Sequence, residues 1–220
     1  MQQDPIIPVE PVNTTPNPVY VGKPPKSESG WRSALSTIAI LIAAPLIAVF
    51  LTAFVFQSYE VDGPSMETTL QNRDRLIVWK VPRTISRITK HDYVPTRGEV
   101  IVFVKHGLYE EGSGQEKQLI KRVIGVPGDR VVVADGKITI YNKDHLDGFN
   151  PDIEHEYTTN IAKPTTGNVD ITVNDNEVFV SGDNRTNSLD SRAFGVVSTR
   201  DIVGKMVLRI YPLGSFKSYI

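Results

Sequence analysis

The hydrophobic pattern of the chain begins with an uncharged, predominantly apolar run over residues 34–56, which is 23 residues long. A helix of this length rises about 34 Å at about 1.5 Å per residue, enough to cross the hydrocarbon core of a bilayer. Pro45 does not exclude such a helix, because transmembrane helices tolerate proline. A cleaved signal peptide is the alternative, but the run is too long for one and lacks a clear small-residue cleavage site before Gln57. The pattern therefore predicts a transmembrane helix over residues 33–57.

The flanks of this run predict what lies on each side of the membrane. Residues 1–32 hold seven prolines among polar residues, and such a segment buries too little apolar surface to offset the entropy of ordering it, so we predict a disordered tail. Three basic residues closely precede the run, namely Lys23, Lys26 and Arg32. The first basic residue after it is Arg73. The positive-inside rule then predicts a single-pass protein of the cell membrane, with a cytoplasmic N-terminus and residues 58–220 on the extracytoplasmic side.

Beyond the run, short stretches rich in Val and Ile alternate with turn signals, which is typical of β-strands. These stretches are RLIVWKV (75–81), EVIVFV (99–104), DRVVVADGKITIYN (129–142), EVFVSGD (177–183) and IVGKMVLRIYP (202–212). The pair Asp135-Gly136 is typical of a hairpin turn, and no long amphipathic helical period follows residue 57. The polar stretch 143–176 predicts an insertion outside the main sheet. The pattern thus predicts a mostly β outer domain.

Composition excludes several kinds of chemistry. The chain has no cysteine, which removes disulfides, cysteine-protease chemistry and thiolate metal sites. Its four histidines are scattered without metal-ligand spacing, so we predict no metal site. The net charge of −1 gives no indication of a nucleic-acid partner.

Two residues are candidates for chemistry, although local sequence leaves each one ambiguous. Ser65 follows Gly63 and Pro64, a composition common in turns, so it is either a turn residue or a nucleophile. Lys121 lies among apolar residues in LIKRVIGV, where strand alternation points it away from Arg122. A buried lysine without a carboxylate partner loses its proton and becomes a usable general base. The alternative for Lys121 is a solvated lysine on an edge strand.

A third unusual stretch is SGDNRTNSLDSRAFGVV at 181–197. Its opposite charges, on Asp183, Arg185, Asp190 and Arg192, predict a loop held by carboxylate–guanidinium pairs. Ser188 and Asn187 within it could supply a hydrogen bond that orients a catalytic side chain.

Four motifs in sequence order resemble those of the bacterial type I signal peptidases of the single-span type, which are membrane-anchored serine–lysine proteases. They are GPSMETTL (63–70), RGEVIVF (97–103), KRVIGVPGD (121–129) and SGDNRTNSLDSRAFGVV (181–197). The resemblance implies a signal-peptidase-like β catalytic domain with a smaller, variable β lobe, here at about 130–177, preceded by one transmembrane helix.

The resemblance also implies a role for each matching residue. Ser65 would be the nucleophile, Lys121 its general base, and Ser188 would hydrogen-bond the lysine amine. Supporting residues near the site would be Gly63, Arg122, Asp183, Asp190 and Arg192. Residues implied to contact the substrate or pack the strand beside it are Val61, Met66, Leu70, Leu119 and Ile120.

Gly63 departs from those family members that carry a serine two positions before the nucleophile. Losing one oxyanion donor costs about 2.7–4 kcal/mol where one is normally used. Pro64 has no N–H to offer. The oxyanion would therefore depend on backbone N–H groups, mainly that of Ser65, or on water.

The implied function is removal of N-terminal signal peptides from exported preproteins after an Ala-x-Ala-like site, through an acyl-enzyme and without cofactor or metal. The partners would be these preproteins, bound as an extended strand beside residues 61–63 and 118–120, and the lipid bilayer. One alternative is a catalytically silent, membrane-anchored binding module, against which the joint presence of Ser65, Lys121 and Ser188 argues. Another serine–lysine protease, such as a self-cleaving repressor, is disfavoured by the membrane helix and the lack of a DNA-binding segment.

Overall fold

The computed structural model describes residues 30–67, 69–90, 92–110, 112–154, 164–212 and 217–218. The chain divides into two compact units, Met1–Ala44 and Pro45–Ile220. The predicted disordered tail lies outside the described residues, apart from residues 30–32, which open the first helix.

The apolar run forms a continuous helical segment. Helix α1 covers Gly30–Phe50 and passes into a π-helix at Leu51–Val55. Within it, Ser33–Val55 has a mean hydropathy of 2.8 and is long enough to cross a membrane, the one such helix among the described residues. The helix ends before Phe56 and Gln57, which the sequence pattern assigned to it. Both residues instead pair with Trp79 and Val78 of a neighbouring strand, because main-chain hydrogen bonding is available there.

The remainder of the described chain is mostly antiparallel β-structure. Its strands, in chain order, are β1 (Phe56–Glu60), β2 (Arg75–Trp79), β3 (Val100–Tyr109), β4 (Glu116–Gly125), β5 (Arg130–Ala134), β6 (Lys137–Asn142), β7 (His145–Phe149), β8 (Val169–Thr172), β9 (Glu177–Ser181), β10 (Val197–Ser198), β11 (Ile202–Tyr211) and β12 (Lys217–Ser218). The larger sheet has the order β1-β2-β11-β3-β4-β9-β10, with β12 paired to β11, and the smaller sheet the order β7-β6-β5-β8. The predicted fold class, mostly β after one apolar helix, is confirmed.

The smaller sheet follows from the alternation of apolar residues along β5 and β6. Val131 and Val133 on β5 are buried and their neighbours are not, as expected for a strand with one covered face. The predicted turn at Asp135-Gly136 is confirmed, with both residues at positive φ. The buried face packs against Ile124 and Phe179 of the larger sheet, so the two sheets share one hydrophobic cluster.

Two parts of the chain differ from the expected pattern. The polar stretch 143–176 supplies β7 and β8, which pair with β6 and β5. Its described strands therefore lie outside the larger sheet, as predicted, but are regular strands. The run expected to continue as a strand to Val81 instead stops at Trp79, and helix α2 (Val81–Thr89) follows. A proline in the first turn favours this start, and nine residues are too few to give a clear helical period. Two further helices of one turn each are α3 (Pro151–Glu154) and α4 (Ser191–Phe194).

Candidate active site

Ser65 lies in the loop between β1 and β2, and this loop is closed by its own hydrogen bonds. The Val61 N–H donates to the carbonyl of Asp74 at 2.9 Å, which joins the two ends of the loop. The Gly63 N–H donates to Oδ1 of Asn72 at 3.0 Å. Gly63 has a φ of 91°, in the left-handed region that favours glycine. The loop therefore presents Ser65 in a defined position.

Lys121 lies on β4, a central strand between β3 and β9, so the alternative of a solvated edge-strand lysine is wrong. Its side chain is 3% exposed. The Nζ atom lies 2.7 Å from Oγ of Ser65 and donates to the carbonyl of Ile120 at 2.8 Å. The structure thus brings together the two residues that the sequence singled out separately.

Burial controls the protonation of Lys121. Desolvation lowers the pKa of its amine from 10.5 to about 8, because the charged form is disfavoured away from water. The negative charges of Asp190 and Asp183 oppose this effect without cancelling it, and Lys117 adds to it. A usable fraction of the amine is therefore neutral close to physiological pH.

Arg122 points to the opposite face of β4 from Lys121 and is also buried. Its charge is compensated there by a carboxylate partner. Its Nε and Nη2 donate to the two oxygens of Asp183 at 2.8 and 2.6 Å. The hydroxyl of Thr69 donates to the same carboxylate at 2.5 Å. This bidentate pair connects β4 to the Ser65 loop and to the segment that follows β9.

Asp190 and Arg192 form a second buried bidentate pair. Arg192 donates from Nε at 2.8 Å and from Nη2 at 2.7 Å. Asp190 also accepts from the N–H of Gly182 at 2.9 Å. Burial acts to raise the pKa of Asp190, but the hydrogen bond and charge of Arg192, together with the Gly182 N–H, hold it below its ordinary value. Asp190 is therefore ionised, and its contacts with Gly182 and Arg192 hold the two ends of the 181–192 segment together.

Of the four charged residues expected to hold that segment, only this pair is internal to it. Asp183 is bound by Arg122, and Arg185, which is 1% exposed, binds Asp152 of α3 with both terminal nitrogens. Arg185 also donates from Nε to the carbonyl of Gly182 at 3.1 Å. The segment is thus anchored by these two residues to β4 and to α3.

Ser188 does not make the expected hydrogen bond to the Lys121 amine. Its buried hydroxyl lies close to Asp190, where it helps to lower the pKa of that carboxyl, and within the described residues it makes no hydrogen bond to the lysine amine. Ser188 Oγ instead packs on Gly182, where an added Cβ would lie 2.2 Å from it and 2.4 Å from the Ser65 carbonyl oxygen. The lysine amine is held by Ser65 and the Ile120 carbonyl instead.

Sequence reasoning missed two residues that position the Ser65 loop. Gly182 has no side chain, which allows Ser188 and the Ser65 carbonyl to lie close to its backbone. Asn184 donates its backbone N–H to the Ser65 carbonyl at 3.0 Å and its side-chain amide to the Pro64 carbonyl at 3.1 Å. Both residues lie in the motif SGDN at 181–184. The motif alone does not indicate that these residues contact the Ser65 loop, which is far away in the sequence.

The backbone donors around Ser65 are nearly all engaged. The Gly63 N–H is bonded to Asn72, and Pro64 has none. Within the described part of the chain, no acceptor takes the N–H of Ser65. Of these three consecutive residues, Ser65 alone keeps an N–H free to bind a developing oxyanion.

A groove of about 900 Å³ runs past the Ser65–Lys121 pair. The chain on its two sides is residues 59–65 and 117–121, and the groove includes three predicted substrate-contacting residues, Val61, Leu119 and Ile120. Exposed Asp62 lines it as well. Met66 and Leu70, the other two residues of that set, do not line the groove: both are fully buried and pack with Leu76, Val100 and Met206 in the core.

These features define a mostly β protein in which a half-buried serine meets a buried lysine beside an open groove. Residues 34–211 match the family described as signal peptidase, peptidase S26, and the chain belongs to that family.

Several relatives align over most of their length. A probable signal peptidase I-1 of Synechocystis is 34% identical over 86% of this chain and 91% of the relative. A signal peptidase I of Leptolyngbya laminosa is 30% identical over 92% of this chain and 91% of the relative. A crystal structure of a signal peptidase I from Enterococcus faecalis aligns with a TM-score of 0.36 at 25% identity, over 50% of this chain and 95% of that one.

Replacing Lys121 by Met tests whether burial of the amine affects the free energy of unfolding. The lowered pKa corresponds to about 3 kcal/mol of destabilisation when the folded protein holds the proton, at about 1.36 kcal/mol per pKa unit. Below about pH 8 the Lys121 amine is protonated in both the folded and the unfolded chain, and the full penalty applies. Between pH 8 and 10.5 the folded protein loses this proton before the unfolded chain does, so the penalty shrinks. Above pH 10.5 it vanishes. The stability of the native chain relative to Lys121→Met should therefore rise by about 3 kcal/mol across that window.

Urea unfolding of the detergent-solubilised chain, repeated across the alkaline range, measures this difference. Lys137→Met, at an exposed position on β6, is the control and should show no such change. A stability difference between Lys121→Met and the native chain that does not vary with pH would contradict the burial argument.

Proposed function

We propose that this chain removes N-terminal signal peptides from exported preproteins, with Ser65 as nucleophile and Lys121 as general base. The observation that carries the proposal is the 2.7 Å separation of Lys121 Nζ from Ser65 Oγ, together with burial that lowers the lysine pKa to about 8. The related proteins of Synechocystis and Leptolyngbya bear the name signal peptidase I, which agrees with this activity.

The first chemical step forms an acyl-enzyme. The neutral amine of Lys121 takes the hydroxyl proton as Ser65 Oγ attacks the carbonyl carbon of the scissile bond. The N–H of Ser65 donates to the oxyanion that develops. When the tetrahedral intermediate collapses, the C–N bond breaks and the Lys121 ammonium gives its proton to the departing amine, which is the new N-terminus of the mature protein.

The second step releases the signal peptide. Lys121, neutral again, takes a proton from a water molecule whose oxygen attacks the ester carbonyl. Collapse of this intermediate breaks the bond to Oγ, and the proton returns from Lys121 to Ser65. The amine thus alternates between base and acid, which requires a pKa near the working pH.

The groove supports an extended substrate. Its sides are formed by loop and strand backbone rather than by a deep cavity, as in recognition by strand addition. Val61, Leu119 and Ile120 contribute apolar side chains to the groove that Ser65 also lines. Such a lining would suit the small apolar side chains of an Ala-x-Ala site.

The paired charges serve as positioning residues in this proposal. The Arg122–Asp183 pair holds β4 against the Ser65 loop through Thr69. The Asp190–Arg192 pair holds Gly182, on which Ser188 and Ser65 pack. Ser188 then acts by filling this space and not through a hydrogen bond to the lysine amine.

The apolar helix supports a membrane location. Ser33–Val55 would be the span, the preceding tail would be cytoplasmic, and residues 58–220 would form the extracytoplasmic catalytic domain, with the smaller lobe at about 130–177. The strands of the smaller sheet, from Arg130 to Thr172, support that lobe. Anchoring an enzyme in the membrane that holds its substrate raises their effective concentration.

Substitution of either member of the pair tests the proposed chemistry. Ser65→Ala removes the attacking oxygen and Lys121→Ala removes the base, and each should lower kcat for preprotein cleavage by at least about 10⁴-fold, as for other catalytic units of this kind. Processing of a detergent-solubilised preprotein with a small-x-small site, followed by gel electrophoresis, measures the effect. Ser113→Ala and Lys143→Ala, both at exposed positions, are the controls and should cleave normally. Undiminished cleavage by either Ser65→Ala or Lys121→Ala would refute the assigned pair.

The pH profile tests the protonation state required of Lys121. Only the neutral amine is a base, so kcat/KM should rise about tenfold per pH unit below the lysine pKa of about 8 and level off above it. Initial rates on one preprotein, measured in buffers of constant ionic strength, give the profile. A rate that is flat from about pH 5 to pH 9 would be incompatible with a neutral-lysine base.

A further inference from the structure

Helix α2 carries an apolar face and a basic face that the proposed reaction does not use. Since successive residues of a helix are rotated by about 100°, Ile85 and Ile88 lie on one side of α2, and Arg83 and Arg87 lie on the other. Ile85 is 53% exposed and Ile88 is 77% exposed. No acidic residue occurs from Lys80 to Lys90. This combination of exposed apolar and uniformly basic character is typical of helices that lie in a membrane interface.

Helix α2 also contacts the end of the apolar helical segment. The Lys80 N–H donates to the carbonyl of Val55, the last residue of that segment, at 2.8 Å. The hydroxyl of Thr84 donates to the carbonyl of Phe54 at 3.0 Å. Phe54 is itself exposed, so apolar side chains are exposed on both of the elements that these hydrogen bonds join.

The charges on α2 are only partly compensated. Burial and the positive charges of Arg83 and Arg87 all lower the pKa of Lys80. Burial and the charge of Arg87 also lower the pKa of Arg83, and Asp201 and Tyr59 oppose this without cancelling it. Across the described chain, no carboxylate forms an ion pair with Arg87. A surface with this excess of positive charge attracts anionic lipid headgroups.

We propose that α2 docks on the anionic phospholipid surface of the bilayer that the apolar segment crosses. Ile85 and Ile88 enter the boundary between headgroups and acyl chains, while Arg87 and Lys90 bind lipid phosphates. The proposal rests on the membrane span of the proposed function. Charge complementarity and continuity with the span both favour lipid over a protein partner for this face.

The full chain, reconstituted in vesicles, allows a direct test because it contains no cysteine. Ile88→Cys is labelled with an environment-sensitive fluorophore, and Asp175→Cys, on an exposed polar turn, serves as the control label. Vesicles contain phosphatidylcholine alone or with added phosphatidylglycerol, and a spin-labelled phospholipid tests for quenching. With phosphatidylglycerol, the label at position 88 should shift its emission to the blue and be quenched, while the label at 175 stays in water.

Charge variants separate lipid binding from simple exposure. Arg87→Gln combined with Lys90→Gln should lose the blue shift that depends on phosphatidylglycerol. Lys137→Gln combined with Lys143→Gln, which removes the same charge from exposed sites on the smaller sheet, should keep it. The proposal is overturned if the label at 88 behaves like that at 175, if the shift is equal without phosphatidylglycerol, or if the two double variants do not differ.

Preprotein cleavage in the same vesicles distinguishes this inference from the proposed function. Normal cleavage with a water-exposed label at position 88 refutes docking and leaves the protease proposal intact. A membrane-embedded label without cleavage refutes the protease proposal and leaves docking intact.

Discussion

The candidate site depends on the burial of one amine. Lys121 is kept from water on a central strand, where, within the described part of the chain, it meets the hydroxyl of Ser65 and one backbone carbonyl but no carboxylate. Desolvation therefore outweighs the attraction of Asp190 and Asp183, and the pKa falls to about 8. If either carboxylate bound the amine directly, the lysine would be held in its charged form and could not act as a base.

The buried ion pairs around the site keep these carboxylates away from Lys121. Asp183 is occupied by Arg122 and Asp190 by Arg192, in both cases through two parallel hydrogen bonds. Each guanidinium also fixes a loop, so the same contacts that neutralise the acids hold the backbone around the serine. Breaking a buried pair of this kind typically costs about 3–5 kcal/mol, since one charge is left uncompensated.

Much of the fold could be predicted from sequence, and part of the site could not. Alternation of apolar residues predicted the β5–β6 hairpin, and the long uncharged run predicted the apolar helix, because both patterns are local. The end of that helix depended on pairing with β2, and α2 was too short for its period to be recognised. The partners of Arg185 and Asn184 lie far away in the chain. Ser188 packs on Gly182 and makes no hydrogen bond to Lys121. A sequence motif does not predict such packing.

The central claim is that burial lowers the pKa of the Lys121 amine enough to leave a usable fraction neutral near physiological pH, and a direct titration tests it. The solubilised chain, labelled with ¹³C and ¹⁵N in its lysines, gives an Nζ and Cε signal for each side chain, and the signal missing from Lys121→Met identifies Lys121. This signal should titrate with a pKa of about 8. A signal that titrates at the ordinary lysine value of 10.5 would contradict the account.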